Sequence, residues 1–358
     1  MPDILRRPVI GVAGALIATI LLISLDPSWK ADVLLAWKLA GVLLVVLFVH
    51  ELGHVVFGSL TGMKLHFFTF GPFSITMKDG RLTFNENKQW LFFGGVASLI
   101  PYPWNTPDLK RKLLLYTVGG PVFSFLGAII AFGCWRLTVQ DWLSWLAILN
   151  LVIFFATAPP LPNGMFRTDG TIALLLLGNN GRAAEHLHLT QVTAEMMSGK
   201  RPKTWDTALV ESCEARIRGE HDKMQSIGLY LFLFYYYSDK NGLLPSISYI
   251  EPIVREPVTQ QNSVFKSSFH SSYMMYRILY EGEDVTAAEM KALFQPVSLL
   301  DLYSYYRSLA IVKYTEHRTA DMRKALHKAE KQLKQETASG YMELEREWFD
   351  RLKRRLTC

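Results

Sequence analysis

Residues 47–57 read Leu-Phe-Val-His-Glu-Leu-Gly-His-Val-Val-Phe, an H-E-x-x-H motif set inside an apolar run. His50 and His54 are four residues apart, so on a helix both imidazoles leave from one face and can bind a single metal ion. Glu51 follows the first histidine, where its carboxylate can take a proton from a water beside the metal. Zn²⁺ is the expected ion, because two imidazoles and one oxygen ligand leave a fourth position open for that water. The motif predicts peptide-bond hydrolysis; the alternative is two buried, hydrogen-bonded histidines on a structural helix.

The surroundings of this motif indicate a membrane protein. Half of the 358 residues are hydrophobic, and almost all of the long apolar runs come before residue 180. Each run is about long enough to cross a bilayer. We therefore expect about four membrane-spanning helices, at residues 8–25, 33–60, 113–135 and 142–158, with the metal motif in the second.

The charged residues predict both the partner class and the orientation. The net charge is +6, and the basic residues cluster beside apolar segments, which favours the lipid bilayer over nucleic acid as a partner. Residues 62–112 carry seven lysines and arginines, whereas the loop 26–32 carries only Lys30. By the positive-inside rule we expect a multi-pass protein of a bacterial cell membrane with cytoplasmic N- and C-termini. The three cysteines are far apart, so no disulfide framework is indicated.

Residues 63–95 change to an alternation of apolar and polar residues, with Asp79-Gly80 between two such runs. This pattern predicts a β-hairpin near the mouth of the metal site. Its free edge could take an extended substrate strand, because main-chain pairing holds a peptide whatever its sequence. A purely structural flap is the alternative.

The fourth apolar run ends in a proline-rich corner, residues 158–170, which cannot be regular helix. Asp169 follows this corner and opens a new apolar helix. Its carboxylate has two interpretations, as the N-cap of that helix or as the third metal ligand. In the third run, Gly119-Gly120-Pro121 is typical of close approach between helix backbones.

Three features together resemble the site-2 protease family of intramembrane zinc metalloproteases. They are the H-E-x-x-H motif in a membrane helix, Gly120-Pro121 in the next helix, and Asp169-Gly170 after the last. The resemblance covers about residues 33–178. It implies His50, His54 and Asp169 as ligands of one Zn²⁺ and Glu51 as the catalytic acid and base. The family's Asn-containing element before Asp-Gly is matched only loosely here, and the polar group that positions substrate is expected to be either Asn163 or Asn150.

The second half of the chain alternates charged and apolar residues as a soluble helical domain does. Short breakers separate helical stretches, which favours a cytoplasmic, solenoid-like helical array that presents a concave surface to a protein partner. We expect one of these helices to bury an aromatic stripe made of Phe265, Phe269, Tyr273, Tyr276 and Tyr280.

The sequence thus predicts a mainly α fold, a polytopic membrane helix bundle with a small β-hairpin, followed by a cytoplasmic helical domain. The expected domains are an N-terminal anchor at 1–32, a membrane metalloprotease core at 33–181 that includes the hairpin 63–95, and a soluble domain at 182–358. The leading function is hydrolysis of a peptide bond in a membrane protein or membrane-bound peptide. The alternatives are a catalytically inactive, metalloprotease-like scaffold that binds proteins through residues 182–358, and, more weakly, a metal transporter.

Overall fold

A computed structural model describes most of the chain as helices and one small sheet. The described residues are 7–78, 81–88, 90–161, 167–178, 181–219, 223–224, 226–257, 263–335 and 340–357. The chain divides into two compact units, Met1–Leu187 and His188–Cys358. The functional domain bounds expected from the sequence stay a prediction.

The first unit is built on long apolar helices. Among the described residues of this unit, three helical segments are long and apolar enough to cross a membrane, at Pro8–Leu25, Pro27–Leu60 and Leu109–Thr138. A fourth apolar helix has 17 residues and is therefore about 26 Å long, against a hydrocarbon core of about 30 Å. The expected number of four spans thus remains a prediction. The helices of this unit are α1 (Pro8–Leu25), α2 (Lys30–Leu60), α3 (Leu109–Thr138), α4 (Asp141–Thr157) and α5 (Asp169–Leu177).

A four-stranded antiparallel sheet lies between α2 and α3 in the chain. Its strands are β1 (Lys64–Phe70), β2 (Phe73–Lys78), β3 (Arg81–Glu86) and β4 (Val96–Ile100), in the spatial order β3-β2-β1-β4. The predicted hairpin was therefore too small, because β4 begins after residue 95 and pairs back onto β1. The predicted turn at Asp79-Gly80 lies outside the described residues.

An apolar cluster holds this sheet against the helices. Phe68 and Ala97 are opposite each other in the β1–β4 pairing, and both side chains are buried. They join buried residues from α3 and α5 in one core. Burial of each large apolar side chain of this kind stabilises the fold by roughly 1.5–3 kcal/mol, which fixes β4 beside α2. The buried members of the cluster are Met63, Phe68, Ala97, Leu99, Leu109, Leu113 and Leu176.

Helices α2 and α3 approach each other closely, as the small residues of α3 predicted. A Cβ on Gly53 would lie 2.2 Å from the carbonyl oxygen of Gly119, and a Cβ on Gly119 would lie 2.4 Å from that of Gly53. Any side chain at either position would push the helices apart. The two glycines therefore bring α3 against the turn of α2 that carries the H-E-x-x-H motif.

In the described residues of the second unit, helices are the only regular secondary structure. Its helices are α7 (Thr207–Gly219), α8 (Ile227–Asn241), α9 (Leu243–Ser246), α10 (Glu251–Arg255), α11 (Ser263–Tyr280), α12 (Ala287–Phe294), α13 (Leu302–Thr315), α14 (Thr319–Gln335) and α15 (Gly340–Thr357), while α6 (Gly181–Met196) contains the boundary between the units.

A buried ion pair joins α13 to α15, since Arg307 Nη1 donates to Glu345 Oε2 at 2.5 Å and both residues are almost fully buried. The predicted aromatic stripe of α11 is wrong at its two ends. Phe269 is buried, but Phe265 and Tyr280 are exposed.

Candidate metal centre

Helix α2 presents the two motif histidines as expected from their spacing. His50 and His54 are both buried, and their ring centroids are 5.0 Å apart with nearly perpendicular planes. Both Nε2 atoms lie beside the same carboxylate oxygen of α5. One turn of helix thus places two imidazole nitrogens where one ion can reach both.

Asp169 supplies that oxygen. Its Oδ2 lies 3.3 Å from Nε2 of His50 and 3.5 Å from Nε2 of His54. The N-cap interpretation of Asp169 is wrong, because Thr168 is the N-cap of α5 and its side chain accepts a hydrogen bond from the Thr171 amide. Since Thr168 already caps the helix, the carboxylate of Asp169 is left to face the two histidines.

The spacing of these atoms fits a tetrahedral metal site. In such a site with ligand bonds of about 2.0–2.1 Å, two ligand atoms lie about 3.3–3.4 Å apart. The two distances from Asp169 Oδ2 agree with that separation. Two imidazoles and one carboxylate are also a donor set that zinc prefers. His50, His54 and Asp169 therefore fit a zinc ion in both chemistry and spacing.

The far nitrogens of both histidines are engaged by α3. Nδ1 of His54 lies 2.8 Å from the main-chain carbonyl oxygen of Tyr116, and Nδ1 of His50 lies 2.9 Å from the hydroxyl of the fully buried Ser124. A carbonyl oxygen can only accept, so Nδ1 of His54 carries a proton, and in the neutral ring Nε2 keeps its lone pair for a metal ion. Such outer contacts orient metal-binding imidazoles and raise their basicity.

Gly120 leaves the space in front of the ligand atoms open. A Cβ there would lie 2.3 Å from Nε2 of His54 and 2.8 Å from Nε2 of His50. Any larger residue would fill the region that the three ligand atoms enclose. The sequence pointed to this glycine as a packing residue and as part of the Gly-Pro feature of the family resemblance, and neither gave it a place beside the ligand atoms.

Glu51 is buried beside the histidines, and its carboxylate meets the start of β4. Gly95 has a φ of +102°, and a Cβ on it would lie 2.7 Å from Oε1 of Glu51. The Ala97 amide faces this carboxylate, which also interacts electrostatically with His50 and His54. The carboxylate thus lies between the two motif histidines and an edge strand of the sheet.

The sequence offered two asparagines, Asn150 and Asn163, as candidates for positioning substrate, and the structure describes only one of them. Asn163 lies outside the described residues. Asn150 is almost fully buried in α4, where its Nδ2 donates to the Leu146 carbonyl and its Oδ1 faces Gly127 of α3. A role for either in binding substrate stays a prediction.

Sequence reasoning did not find Ser124 and Tyr116. They are 74 and 62 residues from the histidines that they contact, so no local spacing indicates the pairing. The only signal was that Gly119-Gly120-Pro121 predicted close approach of a neighbouring helix, without indicating which one.

The chain matches a known protein family over most of its length. The sequence model of a family described as Peptidase family M50 matches residues 38–335, which contain every residue of the metal centre. No curated protein and no solved structure matches the chain.

Proposed function

This chain belongs to peptidase family M50, and from that premise we propose that it is a membrane-embedded zinc endopeptidase that hydrolyses one peptide bond in a membrane-associated protein or peptide. The membership confirms the resemblance to the site-2 proteases, a family of membrane metalloproteases. The observation that carries the proposal is the meeting of His50, His54 and Asp169, from α2 and α5, at the separations of a tetrahedral zinc site.

Each residue of the centre has a distinct part in the proposed reaction. Zinc held by the three ligands would polarise the scissile carbonyl and lower the pKa of an attacking water. Glu51 takes the proton from that water and passes it to the leaving amine. Its carboxylate can do so because it lies beside the three ligands and does not itself bind the ion. Ser124 and the Tyr116 carbonyl keep the imidazoles in the orientation that metal binding needs.

The sheet supports a substrate held in extended form. Strand β4 is an edge strand, and its Ala97 lies against Glu51. A substrate strand added to this edge would be held by main-chain pairing, independent of its side chains. A helical membrane segment must unwind to bind in this way, which places the cleaved bond in a non-helical stretch.

Replacing Glu51 separates the enzyme from an inactive scaffold. Glu51→Gln keeps the size of the side chain but removes its basicity, and Glu211→Gln on the exposed surface of α7 is the matched control. We expect Glu51→Gln to retain zinc and to let uncut membrane proteins accumulate in cells, while the control behaves as wild type. If Glu51→Gln cells process the same membrane proteins as wild-type cells, the chain is a scaffold and the endopeptidase proposal fails.

We also propose that the second unit binds a protein partner, since stacked helices present extended surfaces. Capture of the same partner by the wild type and by Glu51→Gln, and its loss when exposed residues of the second unit are changed, would support this assignment.

A further inference from the structure

Tyr116 contacts both the metal centre and the edge of the sheet. Its carbonyl accepts the hydrogen bond of His54 Nδ1, and its hydroxyl donates to the main-chain oxygen of Ala97 at 2.5 Å. The ring lies between these two contacts, 5.3 Å from the His54 ring by their centroids. One residue of α3 therefore joins a metal-binding side chain to β4.

The contacts of Ala97 show which way this strand faces. In an antiparallel pair, residues alternate between those whose amide and carbonyl point at the partner strand and those whose two groups point away. Ala97 is opposite Phe68 of β1, yet its carbonyl accepts a hydrogen bond from the Tyr116 hydroxyl and its amide faces Glu51. Both polar groups of Ala97 therefore point away from β1, so the unpaired edge of β4 faces the catalytic centre.

The distance from this edge to the metal-binding group, which is His50, His54 and Asp169, decides where an added strand would place its peptide bonds. The Leu99 side chain fixes β4 against α2, where a Cβ on Gly58 would lie 2.6 Å from its Cδ2. Pairing with β1 holds β4 in register within the sheet, but an apolar contact of this kind sets no preferred position of the sheet along α2. Within the described residues, the Tyr116 hydroxyl supplies a directional contact to the carbonyl of the same residue whose amide faces Glu51.

We propose that Tyr116 is a positioning residue that fixes β4 relative to His54, so that a substrate strand on β4 brings its scissile bond to the metal-binding group. This inference rests on the proposed endopeptidase function. A carbonyl oxygen has two lone pairs, so Ala97 can accept from Tyr116 and still accept from a substrate amide. Tyr116 acts on the reaction through β4 and touches none of the reacting atoms.

The test is Tyr116→Phe in the full-length chain, which removes the hydroxyl and keeps the carbonyl that contacts His54. Tyr102→Phe is the matched control, because it removes a hydroxyl from an exposed ring just after β4. Three quantities are measured in detergent micelles: bound zinc, amide hydrogen exchange of residues 96–100, and kcat and KM for a 25-residue apolar model peptide with a fluorophore and a quencher.

We expect Tyr116→Phe to keep wild-type zinc, while exchange in residues 96–100 becomes roughly threefold to tenfold faster, as loss of one hydrogen bond implies. We expect kcat to fall by about tenfold or more with KM changed less than about twofold, because the bound peptide is misplaced. The control should match the wild type in all three.

Loss of zinc, or wild-type exchange in residues 96–100, would overturn the inference. An unchanged kcat in Tyr116→Phe would also overturn the inference. If the wild type binds zinc but cleaves no peptide, the endopeptidase proposal fails on its own, while the exchange rates still decide whether Tyr116 holds β4.

Discussion

Gly120 provides a way to block the metal centre without removing a ligand. In Gly120→Ala the new Cβ would lie 2.3 Å from Nε2 of His54, whereas ordinary contact begins at 3.4 Å, so the ring must retreat by about 1 Å. Metal-ligand distances tolerate only about 0.2 Å. Because Gly120 lies inside α3 and its neighbours are the ligand atoms themselves, relaxation cannot restore both histidines. We expect zinc affinity to fall by at least about a hundredfold, the upper end of what loss of an outer contact costs.

The assay is competition for zinc between the full-length protein in detergent and a chromogenic chelator. Circular dichroism verifies that the helices are intact. Gly133→Ala is the matched control, since it lies in the same helix and a Cβ there meets nothing within 4 Å. It should bind zinc as the wild type does. Equal zinc affinity of Gly120→Ala and Gly133→Ala would refute the assignment of this space to a metal ion.

Three further predictions concern the rest of the chain. Arg307→Met should destabilise the second unit by about 3–5 kcal/mol in denaturant unfolding, because Glu345 keeps a buried charge without its cation. The double variant Arg307→Met with Glu345→Leu should recover much of this loss of stability. Equal stability of the single and double variants would contradict this prediction. Burial and the nearby Arg216 lower the pKa of His188 to about 4. The neutral ring thus stabilises the fold, and stability should fall as pH drops from about 6.5 to about 4, by at most about 2 kcal/mol at pH 5. His188→Gln should reduce this acid-induced loss of unfolding free energy. An unchanged pH dependence of stability in the variant would contradict the role given to His188. Gln140→Cys, in the expected external loop, should react with a membrane-impermeant thiol reagent on intact cells, and labelling only after lysis would reverse the predicted orientation.

The sequence was most informative where the chemistry is local. His50, Glu51 and His54 lie within one turn and a half of a helix, so their spacing alone predicted that the imidazoles share a face. The apolar runs likewise predicted α1 to α4 within a few residues at each end. These features depend on neighbours in the chain.

The sequence was less informative where partners are distant. Asp169 had two interpretations until the structure placed the Thr168 side chain on the Thr171 amide. Strand β4 was missed because its pairing partner β1 is about thirty residues away and Gly94-Gly95 resembles a plain turn. In α11, Phe265 and Tyr280 have the spacing of a buried stripe, but the packing of neighbouring helices decides which part of a stripe is covered.

The most direct measurement of the central claim is the zinc content of the purified full-length chain, compared between the wild type and Asp169→Asn. The substitution keeps the shape of the side chain and removes the charge that faces both histidines. Our account predicts one zinc per wild-type chain and a loss of most of it in Asp169→Asn at the same free zinc concentration. Equal zinc in the two proteins would contradict the claim that α2 and α5 hold one ion together.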